Sequence, residues 1–171
     1  KHLDLSYTML DRSIKPLGCL LERVKDTLQT LDLAGCRLED SQFSALMPAL
    51  SQCSQLLKIN LYMNELSLPV LKQLLHHTAK LNKLSEETYL VPLECYDGCR
   101  VLVHRFDELG PELLDILRSE RQLKAVCFKA AVFLKCYVCY AYDLKGSHCW
   151  GNPAVAHCPV MPREYSYELW L

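Results

Sequence analysis

Hydrophobic positions recur at a fixed step through the first half of the chain. Leu3, Leu31 and Ile59 align, as do Leu5, Leu33 and Leu61, then Thr8, Cys36 and Asn64, then Leu10, Leu38 and Leu66. The second and third copies read Leu28-x-x-Leu31-x-Leu33-x-x-Cys36-x-Leu38 and Leu56-x-x-Ile59-x-Leu61-x-x-Asn64-x-Leu66. That is the leucine-rich repeat pattern, and the step from Leu28 to Leu56 is its period. Side chains alternate faces along a short strand, so Leu31 and Leu33 are expected in the core while Thr30, Asp32 and Ala34 face out. At the Cys36 and Asn64 position the chain turns. An Asn there can bond to backbone groups of neighbouring turns, and a buried Cys is the small apolar alternative.

Each strand is followed by apolar residues spaced three and four apart, which predicts one helix per copy with one buried face. The first carries Ile14, Leu17, Leu20, Leu21 and Val24, the second Phe43, Leu46 and Leu50, the third Val70, Leu71, Leu74 and Leu75. Pro16 and Pro69 fall near helix starts, where a missing amide donor costs little; Pro48 is expected to bend or shorten the second helix. The repeat then degrades. Leu81-x-x-Leu84 opens a fourth strand of open register, because Glu86 and Glu87 stand where a core leucine belongs. A fifth strand is predicted at Leu123-x-x-Val126-x-Phe128. The helix before it is predicted over Asp107 to Arg121, on Leu109, Leu113, Leu114 and Leu117, with Gly110-Pro111 placing its effective start a turn late.

The predicted fold is therefore α/β, part of a right-handed leucine-rich-repeat horseshoe of short parallel strands and helices with an irregular, Cys-rich C-terminal end. The solenoid is expected over residues 1–134, a Cys-containing cap over 135–149 and an irregular tail over 150–171. Composition sharpens this division: leucine crowds the chain before residue 85, whereas most of the ten cysteines lie between Cys95 and Cys158. The formal net charge of −1, with no long basic block, leaves no general electrostatic footprint for nucleic acid or an anionic membrane. No apolar run approaches the ~18 residues of a bilayer span. With Lys1 first, and neither an initiator Met nor a signal segment, the chain is expected to be a piece of a longer product.

Function is expected on the outward strand face: His2, Asp4 and Ser6; Thr30, Asp32 and Ala34; Lys58, Asn60 and Tyr62; with Lys83 and Ser85 beside the fourth strand. Concave faces of such solenoids commonly bind proteins, although most such residues are simply solvated. The partner-binding candidates are Asp4, Asp32, Lys58, Asn60 and Tyr62, the last as an exposed aromatic suited to a contact hot spot. Leu17-Gly-Cys-Leu20-Leu21 and Leu71-Lys-Gln-Leu74-Leu75 match a groove-docking helix pattern. The repeat needs these same leucines buried, at about 1.5–3 kcal/mol each, and the core reading is preferred.

Cys136-x-x-Cys139 has zinc-ligand spacing, but the next pair, Cys149 and Cys158, stands much further apart than the ligand pairs of tetrahedral structural sites. Reduced structural thiols are the preferred reading, in a reducing compartment such as the cytoplasm; no cofactor is expected. No Cys or His lies in a recognisable nucleophile context and no Gly-rich phosphate loop is present, so an enzyme is not expected.

Beyond the repeats, several blocks carry a family resemblance. They are Pro92-Leu-Glu94-Cys-Tyr96-Asp97, His104-Arg105-Phe106, Glu112-Leu113, Leu117-Arg118, Val126-Cys-Phe128, Cys136-x-x-Cys139, Tyr142-Asp143-Leu144 and His148-Cys149. Over residues 1 to about 149 the chain resembles the C-terminal region of the PRAME family, oogenesin-like members included. The resemblance implies a leucine-rich-repeat protein of germline or tumour type; its expected place is the cytoplasm, with the nucleus as a second. It implies a substrate receptor for cullin-RING ubiquitin ligases, linked to repressed transcription, reduced differentiation and apoptosis, and increased proliferation. Ligase components would engage a segment near the family's N-terminus, outside these residues. A ribonuclease-inhibitor-like or immune-receptor-type repeat domain shares the period but does not explain Glu94 to Asp97 or the Tyr142 block. A metal-stabilised nuclear module built on the terminal cysteines is the third alternative.

Overall fold

A computed structural model describes residues 1–10, 14–97, 100–120, 125–130, 141–143 and 146–148. The sequence period becomes a ladder of strand and helix. Strand β1 (His2–Asp4) leads to helix α1 (Lys15–Val24), β2 (Thr30–Asp32) to α2 (Asp40–Leu50), β3 (Lys58–Asn60) to α3 (Leu68–Ala79), and β4 (Glu86–Leu90) to a 3₁₀ turn at Leu93–Cys95. A small antiparallel pair, β5 (Tyr96–Asp97) and β6 (Arg100–Val101), precedes α4 (Val103–Glu120) and β7 (Ala125–Lys129). Another antiparallel pair, β8 (Ala141–Asp143) and β9 (Gly146–His148), follows. Five strands form one parallel sheet in the order β1-β2-β3-β4-β7. The four helices stack in sequence on the side of the sheet that carries the core, α1 on α2, α2 on α3 and α3 on α4.

The register is one repeat per strand. Leu3 pairs with Leu31, Leu31 with Ile59, and Ile59 with Glu87. Leu31, Leu33, Leu38, Ile59, Leu61 and Leu66 are all at most 2 % exposed. Asn64 ties the turns together: Nδ2 donates to the carbonyls of Leu33 (2.8 Å) and Leu61 (3.0 Å), and Oδ1 accepts from the amide of Leu38 at 3.0 Å. One repeat earlier the buried Cys36 thiol donates to Leu5 O at 3.0 Å, and burial pushes its pKa up. The corner before this position recurs as well. Tyr7, Gly35 and Met63 occupy equivalent places in successive repeats and share a left-handed backbone, φ between 55° and 65°.

The open register of the fourth strand closes on the same period. Leu84 takes the leading position and Glu87, only 3 % exposed, takes the core site between Ile59 and Val126. A buried carboxyl needs hydrogen-bond partners. The Tyr89 hydroxyl donates to Glu87 Oε2 at 2.8 Å and sits 3.1 Å from Thr78 Oγ1. The outward residues of this strand are therefore Glu86, Thr88 and Leu90. Lys83 and Ser85 lie before it and bond back to Gln55 and to Leu57 O.

Helix ends are fixed across repeats. Glu39 and Gln42 form a reciprocal cap at the start of α2. At α3 the carboxylates of Asp40 and Glu94, one from each neighbouring repeat, accept the amides of Ser67 (2.9 Å) and Leu68 (2.7 Å). Carboxylates at a helix N-terminus satisfy orphan donors and suit the helix dipole. Helix α2 runs through Pro48 and ends at Leu50.

Two expectations about helices are corrected. Helix α4 starts at Val103, not a turn after Asp107, and passes through Gly110-Pro111 unbroken. Buried Phe106 anchors that first turn, in contact with Phe128 at 5.4 Å between ring centroids. In α1, Leu17 and Leu21 are buried, but Leu20 is 39 % exposed because it sits off the inward face. Leu71, Leu74 and Leu75 are fully buried. Leu20→Ala should therefore cost no more than about 0.5 kcal/mol, as surface changes do, measured by urea unfolding.

Candidate protein-interaction face

The outward residues of the parallel strands form three rows in register. His2, Thr30, Lys58 and Glu86 make the first; Asp4, Asp32, Asn60, Thr88 and Cys127 the second. Ser6, Ala34, Tyr62, Leu90 and Lys129 continue the alternation as the third. An open trough of about 380 Å³ runs over the first two rows, lined by His2, Asp4, Asp32, Lys58, Asn60 and Glu86 among others.

Neighbouring repeats are bridged on this face. His2 Nδ1 lies 2.8 Å from Thr30 Oγ1, Asn60 Nδ2 donates to Asp32 Oδ2 at 2.9 Å, and Lys58 pairs with Glu86 at 2.7 Å. Lys58 and Glu86 are each about half exposed, so their ion pair adds at most about 1 kcal/mol. Asp4, Asp32 and Asn60 share a second task. Each side-chain oxygen accepts the amide two residues on, from Ser6 (2.9 Å), Ala34 (2.9 Å) and Tyr62 (3.2 Å), and so turns the chain out of its strand. The Ser6 hydroxyl also donates to Asp4 at 2.7 Å, and this bond, with the Ser6 amide, holds the Asp4 carboxyl below its ordinary pKa.

Of the five candidates, Asp4 and Lys58 are exposed and Asp32 and Asn60 half-buried. Tyr62 departs from expectation. It is only 8 % exposed, packed with Ala34, Leu90 and Met63, and Lys129 Nζ stands 5.3 Å above its ring. The apolar third row shelters it, so it supports the face rather than offering an exposed anchor. Glu86, Thr88 and Lys129 were missed; adding one period to Lys58 and Asn60 finds the first two.

Among the described residues no three His, Cys, Asp or Glu side chains gather as a metal site, and no helix is long and apolar enough to cross a membrane. Cys36, Cys53 and Cys95 are buried free thiols, with desolvation pushing Cys53 up to about 11 and Cys95 up to about 12. The zinc candidates Cys136, Cys139, Cys149 and Cys158, and the tail over 150–171, lie outside the described residues.

Comparison with known proteins agrees with this architecture. The tropomodulin C-terminal domain of Caenorhabditis elegans superposes with a TM-score of 0.52 over 72 % of each chain at 18 % identity, a likeness of fold alone. Mouse oogenesin-2 is 51 % identical over 80 % of this chain and 29 % of its own length. Mouse oogenesin-3 is 50 % identical over 84 % and 28 %, and human PRAME family member 12 is 46 % identical over 87 % and 31 %. The chain thus spans less than a third of the length of these relatives. Residues 1–150 match the PRAME C-terminal domain, and the chain belongs to the PRAME family.

Proposed function

We propose that this chain is a non-catalytic protein-recognition module. Its outward sheet face is the concave surface of a leucine-rich-repeat horseshoe and selects the target of a cullin-RING ubiquitin ligase receptor. The observation that carries this reading is the face itself: five parallel strands present polar side chains in registered rows over a core that holds them rigid. Its chemistry suits recognition, since side chains are bridged in pairs yet keep open lone pairs and protons. Family membership supports the ligase role, whose docking segment belongs to the N-terminal part of longer members. Target turnover would in turn underlie the family's links to repressed transcription, reduced differentiation and apoptosis, and increased proliferation.

The test is proximity labelling with the full-length protein carrying Asp4→Lys and Lys58→Glu. Both side chains are exposed; because the variant gives up the Asp4–Ser6 bonds and the Lys58–Glu86 pair, urea unfolding of the same protein checks that the fold is retained. Target labelling is expected to fall about tenfold, as for disruption of a few central contacts, while labelling of ligase components is unchanged. Unchanged target labelling would remove this face from recognition.

A further inference from the structure

We propose that the sheet face takes an extended protein segment that crosses the strands, with a basic side chain over β1 and β2 and an acidic one about four residues on, at the Lys129 ammonium beside the Tyr62 ring. The inference rests on the recognition reading above and names its partner's chemistry.

Charge on the face is sorted by strand. Asp4 and Asp32 pair directly across β1 and β2, and like charges so placed disfavour the sheet. Neither is ion-paired among the described residues. In the middle, Lys58 and Glu86 neutralise one another. At the far side Lys129 stands over the Tyr62 ring, held by a cation–π contact. Negative and positive poles are therefore set apart on one surface, the first over β1 and β2 and the second beyond β3, in a chain whose formal net charge is only −1.

Spacing decides what can bridge them. Strands lie ~4.8 Å apart, so the path from between β1 and β2 to the Lys129 ammonium, drawn back from β7 toward the Tyr62 ring, is roughly 12 Å, about four residues of extended chain at ~3.3 Å each, a spacing that also puts both side chains on one face. A single ion or phosphate cannot reach both poles. Over the first four strands the path follows the trough. Asp32 uses one site on each oxygen, for Ala34 N and Asn60 Nδ2; a carboxylate has about four such sites, so a guanidinium can still be received.

The test is fluorescence anisotropy with the whole chain and labelled Gly-Arg-Ser-Gly-Ser-Asp-Ser-Gly. The comparison peptide has the same composition with Arg and Asp adjacent. The spaced peptide should bind about tenfold tighter, and that margin should vanish in Asp4→Asn/Asp32→Asn and in Lys129→Gln. Asn keeps the turn-forming acceptor, so the fold survives. Glu22→Gln/Asp26→Asn, which removes equal charge from exposed positions on and just after α1, should change nothing. Equal binding of both peptides, no saturation by about 1 mM, or full binding by the Asp4/Asp32 variant overturns the inference. If any of these occurs while Asp4→Lys/Lys58→Glu still lowers target labelling, the charge-spacing inference alone falls. If labelling also persists, the recognition reading falls with it.

Discussion

Asn64→Ala should lower the stability of the chain by about 3 kcal/mol, the sum of several lost or stranded hydrogen bonds. Asn64 is fully buried, and its amide group bonds to three different backbone groups at 2.8, 3.0 and 3.0 Å. Truncation leaves Leu33 O, Leu61 O and the Leu38 amide without the side chain that partners them in the interior. A lost hydrogen bond costs about 1 kcal/mol, and a stranded buried group about 1–3 kcal/mol. In a chain of this size the melting temperature should fall by roughly 6–12 °C. Asn64→Cys provides the internal comparison, because Cys36 fills the equivalent position with a single thiol donor to Leu5 O. It should recover about half of the loss. Urea unfolding of the three proteins decides the matter: an Asn64→Ala penalty below about 1 kcal/mol would mean that the ladder does not hold the turns together.

The period made most of this architecture legible. Core leucines, the Cys36/Asn64 turn and the outward alternation all follow from a strand that recurs at one fixed step, and the pairing register reproduces that step from β1 to β4. What the period could not show was burial on the outward face. Ala34, Tyr62 and Leu90 recur at the same step, so they stack into an apolar row of their own, and the same alternation that points Tyr62 out of the core places it between those neighbours. Glu87 failed in the opposite direction. A carboxylate reads as surface by residue type, yet it holds a core position because the Tyr89 hydroxyl donates to it, with Thr78 Oγ1 in turn beside that hydroxyl. Such networks join residues on different elements, so no local pattern announces them.

The face was likewise half visible. Asp4, Asp32, Lys58 and Asn60 follow from alternation alone, whereas Lys129 does not, since the step from Glu87 to Val126 is longer than the one from Ile59 to Glu87. The extra length holds the β5–β6 pair and the long α4. The Glu94 block, which carries the family resemblance, has a structural task. The Glu94 side chain caps α3, and its carbonyl accepts from Arg105 at 2.9 Å.

Phe106→Ala should be the most damaging change in the irregular part, costing about 3–5 kcal/mol as for other buried aromatic truncations. Gly110-Pro111 reads as a break because Pro removes a helix donor and Gly loosens the backbone, yet α4 continues through both. Phe106 supplies the reason. It is 1 % exposed, in contact with Phe128, which stacks at 5.7 Å on Tyr89, so the first turn of α4 is fastened to β4 and β7 before the weak dipeptide is reached. The glycine fits the same packing, since a Cβ at Gly110 would come within 3.2 Å of the Phe106 ring. Removing the ring leaves a cavity beneath residues with weak helix propensity. The loss should therefore appear as fraying of 103–110 as well as lower global stability. Hydrogen exchange would show the Phe106→Ala variant losing protection there first, with the amides of β2 and β3 opening only at the global transition. Full protection of that turn in the variant would mean that helix propensity, and not the aromatic anchor, sets where α4 begins.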